Sequence, residues 1–168
     1  MEGTKTLLFI SSLVFLVGGC LCIDSACVKC LCEFINEESS CSYLVGCHND
    51  VCGPYGITEP YWTDAGRPRY ENGKSKNKYK ECTNSASCAE LTIKNYMDKY
   101  AQDCNDDGRI DCYDYAAIHA NGPAGCKGSL RRGSIKVLRK CLDRSNSSPE
   151  EPEDEEDPKE DAETFVPS

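Results

Sequence analysis

One stretch of the chain carries its chemistry on its face. Asp103-Cys104-Asn105-Asp106-Asp107-Gly108-Arg109-Ile110-Asp111-Cys112-Tyr113-Asp114 fills the first, third, fifth, sixth, eighth and twelfth positions of a calcium-loop pattern. Calcium asks for six to eight oxygens, and the pattern offers them from Asp103, Asn105 and Asp107, the carbonyl of Arg109, a water under Asp111, and Asp114 at the close. Gly108 allows the sharp turn between them. The loop resembles a dockerin-type calcium loop flanked by helices, so a structural calcium is expected there. Two cysteines within it could constrain it differently. Of the other reactive side chains, His119 has no partner nearby in sequence and reads as a structural hydrogen-bonder. Glu37 and Glu38, adjacent acids in a connection, read by themselves as exposed turn residues.

The cysteines could do metal chemistry or close disulfides. Cys27-x-x-Cys30 has zinc-like spacing, but no second pair of matching spacing follows, and an oxidising compartment turns such thiols into disulfides. That compartment is indicated by the N-terminus. Lys5 precedes an apolar run, Leu7 to Phe9 and onward through Val17, that closes on Gly18-Gly19 and is too short for a permanent span. Residues 1–22 are therefore expected to be a secretory signal, cut after Cys22, and the protein to be secreted. Of fourteen cysteines, twelve then remain, an even number suited to bridges. Their pairing stays open, although Cys82 and Cys88 are spaced to close a short loop.

The elements that must hold these groups are mainly helices. Ala89, Ile93, Tyr96, Met97 and Tyr100 recur at spacings of three and four, which predicts an amphipathic helix over 88–101. Further helices are expected over about 111–119, stopped by Gly122-Pro123, over 134–142, and over 27–34. Strand signal is confined to Gly56-Ile57-Thr58 and Tyr61-Trp62. Residues 66–80, with alternating lysines, read as a solvated loop. The C-terminal residues 146–168 hold ten acids and one lysine from Glu150 to Glu163, enough to account for the whole net charge of −9. They have almost nothing apolar to bury and read as a disordered tail, with Asn146-Ser147-Ser148 a glycosylation acceptor at its start. What remains, 23–145, is nearly neutral and of a size for one modest core stapled by disulfides.

Longer motifs carry a resemblance. Cys27-Val28-Lys29-Cys30-Leu31-Cys32, Glu38-Ser39-Ser40-Cys41, Gly46-Cys47, Asp50, Cys52-Gly53-Pro54-Tyr55-Gly56-Ile57 and Tyr61-Trp62-Thr63-Asp64 form its first half. Tyr96-Met97, Tyr100, Cys104, Cys112, and Ala116-x-x-His119 leading into Asn121-Gly122-Pro123-Ala124-Gly125-Cys126 form its second. Together they resemble the invertebrate-type lysozyme, or destabilase, family over residues 27–141.

That resemblance implies an α+β, mostly helical, lysozyme-like, small disulfide-rich single domain with a short strand element lining a cleft. It implies a glycoside hydrolase that cuts the β-1,4 bonds of bacterial peptidoglycan, for antibacterial defence or digestion. No cofactor is needed for catalysis. The two working carboxylates fall on Glu38 and Asp50, twelve residues apart. The reaction needs a proton donor for the leaving sugar oxygen and a negative charge or nucleophile opposite the oxocarbenium-like transition state. Glu37 competes with Glu38 for the acid's place, and Tyr61, Trp62, His119 and Asn121 are expected sugar contacts. The protein is expected to be a monomer that binds peptidoglycan, binds no nucleic acid and does not insert stably in a membrane. A non-catalytic peptidoglycan-binding or regulatory relative is the alternative.

The chain departs from the family pattern close to the chemistry. Only Val51 separates Asp50 from Cys52, and the expected glutamine, lysine, cysteine and asparagine are Gly56, Thr58, Ala65 and Ala120. The isopeptidase activity of some relatives needs a serine in the missing segment and a lysine where Thr58 stands, and is not expected.

Overall fold

The structure is a computed structural model that describes residues 22–38, 41, 46–70 and 76–147. The signal expected over 1–22 lies, but for Cys22, outside the described residues, as does all of the tail after Ser147. Helix α1 is Ser25–Asn36. Asp24 caps it, its carboxylate accepting from the Cys27 N–H at 2.6 Å. The apolar spacing buries Cys27, Val28, Cys30, Leu31, Cys32 and Phe34 on the core side. The helix stops because Glu37 turns left-handed, φ 55°, so that the amides of Glu37 and Glu38 both reach back to the Glu33 carbonyl. A side chain other than glycine in that conformation costs about 1 kcal/mol.

A small antiparallel sheet follows, β1 (Cys47–His48), β2 (Val51–Cys52) and β3 (Ile57–Thr58), in the order β1-β2-β3. Cys47 pairs with Cys52, and Val51 with Thr58. The β1–β2 turn has two residues, Asn49 and Asp50, both at positive φ, 47° and 64°. That is the two-residue geometry that matches the natural twist of a hairpin, and Asn-Asp tolerates it. The trimmed segment before Cys52 thus becomes a minimal hairpin with Asp50 at its tip. Gly53 is obligatory: at φ 71° a Cβ would stand 1.8 Å from the Thr83 carbonyl oxygen.

The remaining helices are α2 (Glu59–Asp64), α3 (Lys78–Thr83), α4 (Ala86–Tyr100), α5 (Cys112–Asn121) and α6 (Arg132–Ser147), with a 3-10 turn at Pro123–Gly125. Four helices stand where periodicity puts them. Two expectations are corrected. Tyr61-Trp62 lies in α2 and not in a strand, because Thr58 caps the Tyr61 N–H and Pro60 occupies the first turn, where its missing N–H costs nothing. The polar stretch 66–80 is not loop throughout, because α3 starts at Lys78 under an Asn77 cap on the Lys80 amide.

Tyr55, Phe34, Leu31, Ile57, Ile93, Met97, Ile118 and Leu138 are fully buried at the centre. Six disulfides with both cysteines among the described residues staple the fold round them: Cys27–Cys112, Cys30–Cys141, Cys32–Cys41, Cys47–Cys52, Cys82–Cys88 and Cys104–Cys126. The short Cys82–Cys88 loop is the one that spacing anticipates. So many bridges mark a chain that folds in an oxidising compartment. Among the described residues no helix is long and apolar enough to cross a membrane.

Candidate active-site groove

The end of α1, the sheet, α2, α4 and α5 enclose a groove of about 460 Å³. Val51, Gly56 and Thr58 form its sheet wall, Tyr61 and Asp64 come from α2, and Ile118, His119 and Ala120 from α5. It adjoins a second depression of about 180 Å³, which shares Ile35 and Ala120 with it and adds Asn121, Leu130, Arg131 and Ser134. The walls are largely apolar with a few polar groups, as a surface for sugar rings requires.

Glu38 and Asp50 are not among the residues that line this groove, but each lies close in sequence to one that does. Ile35, three residues before Glu38, and Val51, next after Asp50, both line it, and their side chains converge over Gly56, within 3.4 and 3.5 Å of where its Cβ would be. The end of α1 and the hairpin tip therefore meet at the groove wall. Glu38 and Asp50 are both solvent-exposed. The backbone of Asp50 is held from below: the Tyr79 hydroxyl lies 2.8 Å from its carbonyl and 2.7 Å from that of Ile57, bracing the tip against β3. Burial, with Glu59 and Asp50 nearby, pushes the Tyr79 hydroxyl up to about 12, so it stays a donor. Sequence reasoning missed Tyr79, since its partners are main-chain oxygens.

Glu37 and Glu38 have different duties. The Glu37 Oε1 accepts from Ser134 Oγ at 2.9 Å and from Arg131 Nε at 3.1 Å, tying the end of α1 to α6. Its oxygen is committed to these donors. Glu38 has no such partner among the described residues, which leaves it the free carboxyl of the two.

Tyr61, His119 and Asn121 stand along the groove and its neighbouring depression, with different availability. The Tyr61 ring stacks on Tyr96, centroids 3.5 Å apart, and meets His119 edge-on. Burial, then Tyr96, raises the Tyr61 hydroxyl well above its ordinary pKa. His119 Nε2 is 2.8 Å from the Tyr55 carbonyl, which can only accept, so Nε2 carries the hydrogen. Nδ1 then takes the Tyr61 hydroxyl at 3.3 Å. With both nitrogens engaged, His119 is a wall of the groove and has no lone pair left for a base.

Burial lowers the His119 pKa from 6.5 to about 4, against a smaller opposing pull from the Tyr55 carbonyl. The unfolded chain binds this proton below about 6.5 and the folded chain only below about 4. Stability is therefore complete above the upper value and is lost as pH falls through the window, by on the order of 3 kcal/mol. Urea unfolding of the wild type and His119→Phe at pH 7 and pH 4.5 checks this. The stability advantage of the wild type should shrink at the lower pH, and an equal advantage at both would contradict it.

Trp62 does not line this groove. It is only 7% exposed, its indole N–H donates to the Pro68 carbonyl at 2.9 Å, and its ring packs toward Tyr79. It belongs to the core, facing a different depression that also carries Lys76 and Lys78. Asp64, by contrast, was not singled out as a site residue by sequence and does line the groove, 3.7 Å from Lys99 Nζ.

The 103–114 loop curls on its own side chains. Asp103 accepts from the amides of Asp107 and Gly108, Asn105 from Asp107, and Asp107 from Arg109. These bonds lower the Asp103 pKa, the Gly108 amide most. Asp111 serves as the cap of α5, accepting from the Tyr113 amide. Asp114 is 1% exposed, and its two oxygens are taken by the amides of Cys104 and Asp111 at 2.8 Å each. It braces the loop from inside. Among the described residues no three or more His, Cys, Asp or Glu side chains are gathered for a metal.

A mostly helical, disulfide-bonded domain with a small sheet beside a groove has the architecture of a lysozyme-like protein. The Destabilase family pattern matches residues 24–141, and the chain belongs to that family. "Invertebrate-type lysozyme 3" of Caenorhabditis elegans is 34% identical over 139 residues, covering 80% of this chain and 97% of the relative. A "Lysozyme" of Magallana gigas is 40% identical over 111 residues, covering 62% and 70%. Among solved structures, Meretrix lusoria lysozyme in complex with Aeromonas hydrophila PliI superposes with a TM-score of 0.54 at 35% identity, covering 73% of this chain and 92% of that one.

Proposed function

We propose that this protein is a lysozyme, a glycoside hydrolase that cuts the β-1,4 bonds between the amino sugars of bacterial peptidoglycan and works outside the cell. Glu38 is the general acid that protonates the leaving sugar oxygen. Asp50 is the carboxylate that meets the positive charge developing on the other side of the bond. Relatives named lysozyme support the reaction class. The observation that carries the residue assignment is the convergence of Ile35 and Val51 over Gly56, which sets the end of α1 and the hairpin tip at one groove wall. Tyr61, His119 and Asn121 shape the surface along which the glycan lies.

The test is clearing of a Gram-positive cell-wall suspension by the full chain and by Asp50→Asn. The wild type should clear it and the variant should lose most of the rate with its fold intact. No clearing by the wild type would leave a wall-binding relative without turnover.

In the 103–114 loop we carry calcium as a structural ion, supported by the spacing of Asp103, Asn105, Asp107 and the Arg109 carbonyl, with Asp111 reaching through water and Asp114 as the inner brace. Such an ion stabilises by mass action. Excess chelator should lower the melting temperature and added calcium restore it. An unchanged melt would remove the ion from the account.

A further inference from the structure

We infer that the acidic tail of this chain docks on the outer face of α6, where it shields a cationic stripe from other polyanions. The stripe is Arg132, Lys136, Arg139 and Lys140, spaced by three, four or seven to eight residues and so on one side of the helix. All four are exposed, and none forms an ion pair among the described residues. The neighbouring cations are spent: Arg131 on Glu37, Arg144 on Glu33, and Lys127 on Asp106. Asp143 is the one acid on the exposed part of the helix.

Charge and length both select the tail as the occupant. The net charge of −9 resides in the ten acids and one lysine after residue 149, so the folded part has no overall pull on them and attraction must come from a local face. The tail begins where α6 ends, at Ser147. From Arg132 to Ser147 the helix rises about 22 Å at 1.5 Å per residue. An extended chain retraces that in about seven residues at 3.3–3.6 Å each. Glu150 and Glu151 then fall near Arg139 and Lys140, Glu151 and Glu153 to either side of Lys136, and Glu153 and Asp154 near Arg132. Tethering gives the acids a millimolar effective concentration at the stripe, enough for weak exposed pairs to act together. Arg132 adjoins Arg131, which lines the depression beside the groove.

The experiment uses three full-length chains: the wild type, one with the ten tail acids replaced by their amides, and one carrying Arg132→Gln, Lys136→Gln, Arg139→Gln and Lys140→Gln. Amide NMR shifts are followed between low salt and 0.5 M NaCl, where the screening length is a few ångströms. In the wild type, shifts should concentrate on residues 132–140 and on the tail, and both sets should stay still in the two variants. Inorganic polyphosphate should bind the tail-neutralised chain at least tenfold tighter than the wild type. The inference is overturned if the tail responds equally to salt when the stripe is neutral, or if polyphosphate binds wild type and tail-neutralised chain alike, which would assign the stripe to an external polyanion. None of these readouts depends on glycosidase activity.

Discussion

Replacing Glu38 with glutamine is expected to reduce wall hydrolysis by 10²- to 10⁴-fold, the range for losing a positioned general acid. Glutamine keeps the volume and polarity of the side chain and has no proton to give. Because Glu38 is exposed and has no bonded partner among the described residues, the substitution should leave the melting temperature nearly unchanged. Glu37→Gln provides the contrast. It weakens the bonds to Ser134 and Arg131 that join α1 to α6, so its cost should be in stability, with turnover largely kept. A reversed pattern, with Glu37→Gln inactive and Glu38→Gln active, would move the acid by one residue.

A large effect on stability is expected from opening Cys30–Cys141. This bridge joins α1 to α6 across a sequence separation of 111, with both cysteines buried. Taken alone, closing about 100 residues stabilises a fold by about 4.7 kcal/mol. Cys27–Cys112 already shortens the path, so that the bridge adds a loop of roughly thirty residues and about 3.5 kcal/mol. For a domain of this size that is a fall of about 15 °C in melting temperature on Cys30→Ala/Cys141→Ala. Cys82–Cys88 spans only six residues, and its removal should cost about 2 kcal/mol. Thermal unfolding of the two double variants checks the order. A larger loss from the short bridge would show that native packing rather than chain closure sets these values.

How much of this was legible in the residues differs from element to element. α1, α4 and α6 show through because each buries a stripe that repeats over several turns, and α5 is marked by the Gly122-Pro123 stop although it buries Asp114 to Ile118 all round. α3 leaves almost none, since Tyr79, Cys82 and Thr83 are its only buried residues in a lysine-rich surround. Tyr61-Trp62 reads as a strand by residue type, and the Thr58 cap with Pro60 overrides that preference. The choice between Glu37 and Glu38 depends on Ser134 and Arg131, nearly a hundred residues away, so no local reading could make it. Asp114 has a duty that its spacing does not reveal: its oxygens close a capping box and hold the Cys104 amide. The groove's apolar lining, Ile35, Val51 and Ile118, went unnoticed because aliphatic side chains carry no chemical signature until the fold gathers them.

The most direct measurement is mass analysis of purified peptidoglycan digested with the full chain. Fragments cut between the amino sugars, each with a new reducing end, are expected, and none when Glu38 is glutamine. Intact glycan strands, or cuts confined to the peptide cross-links, would contradict it.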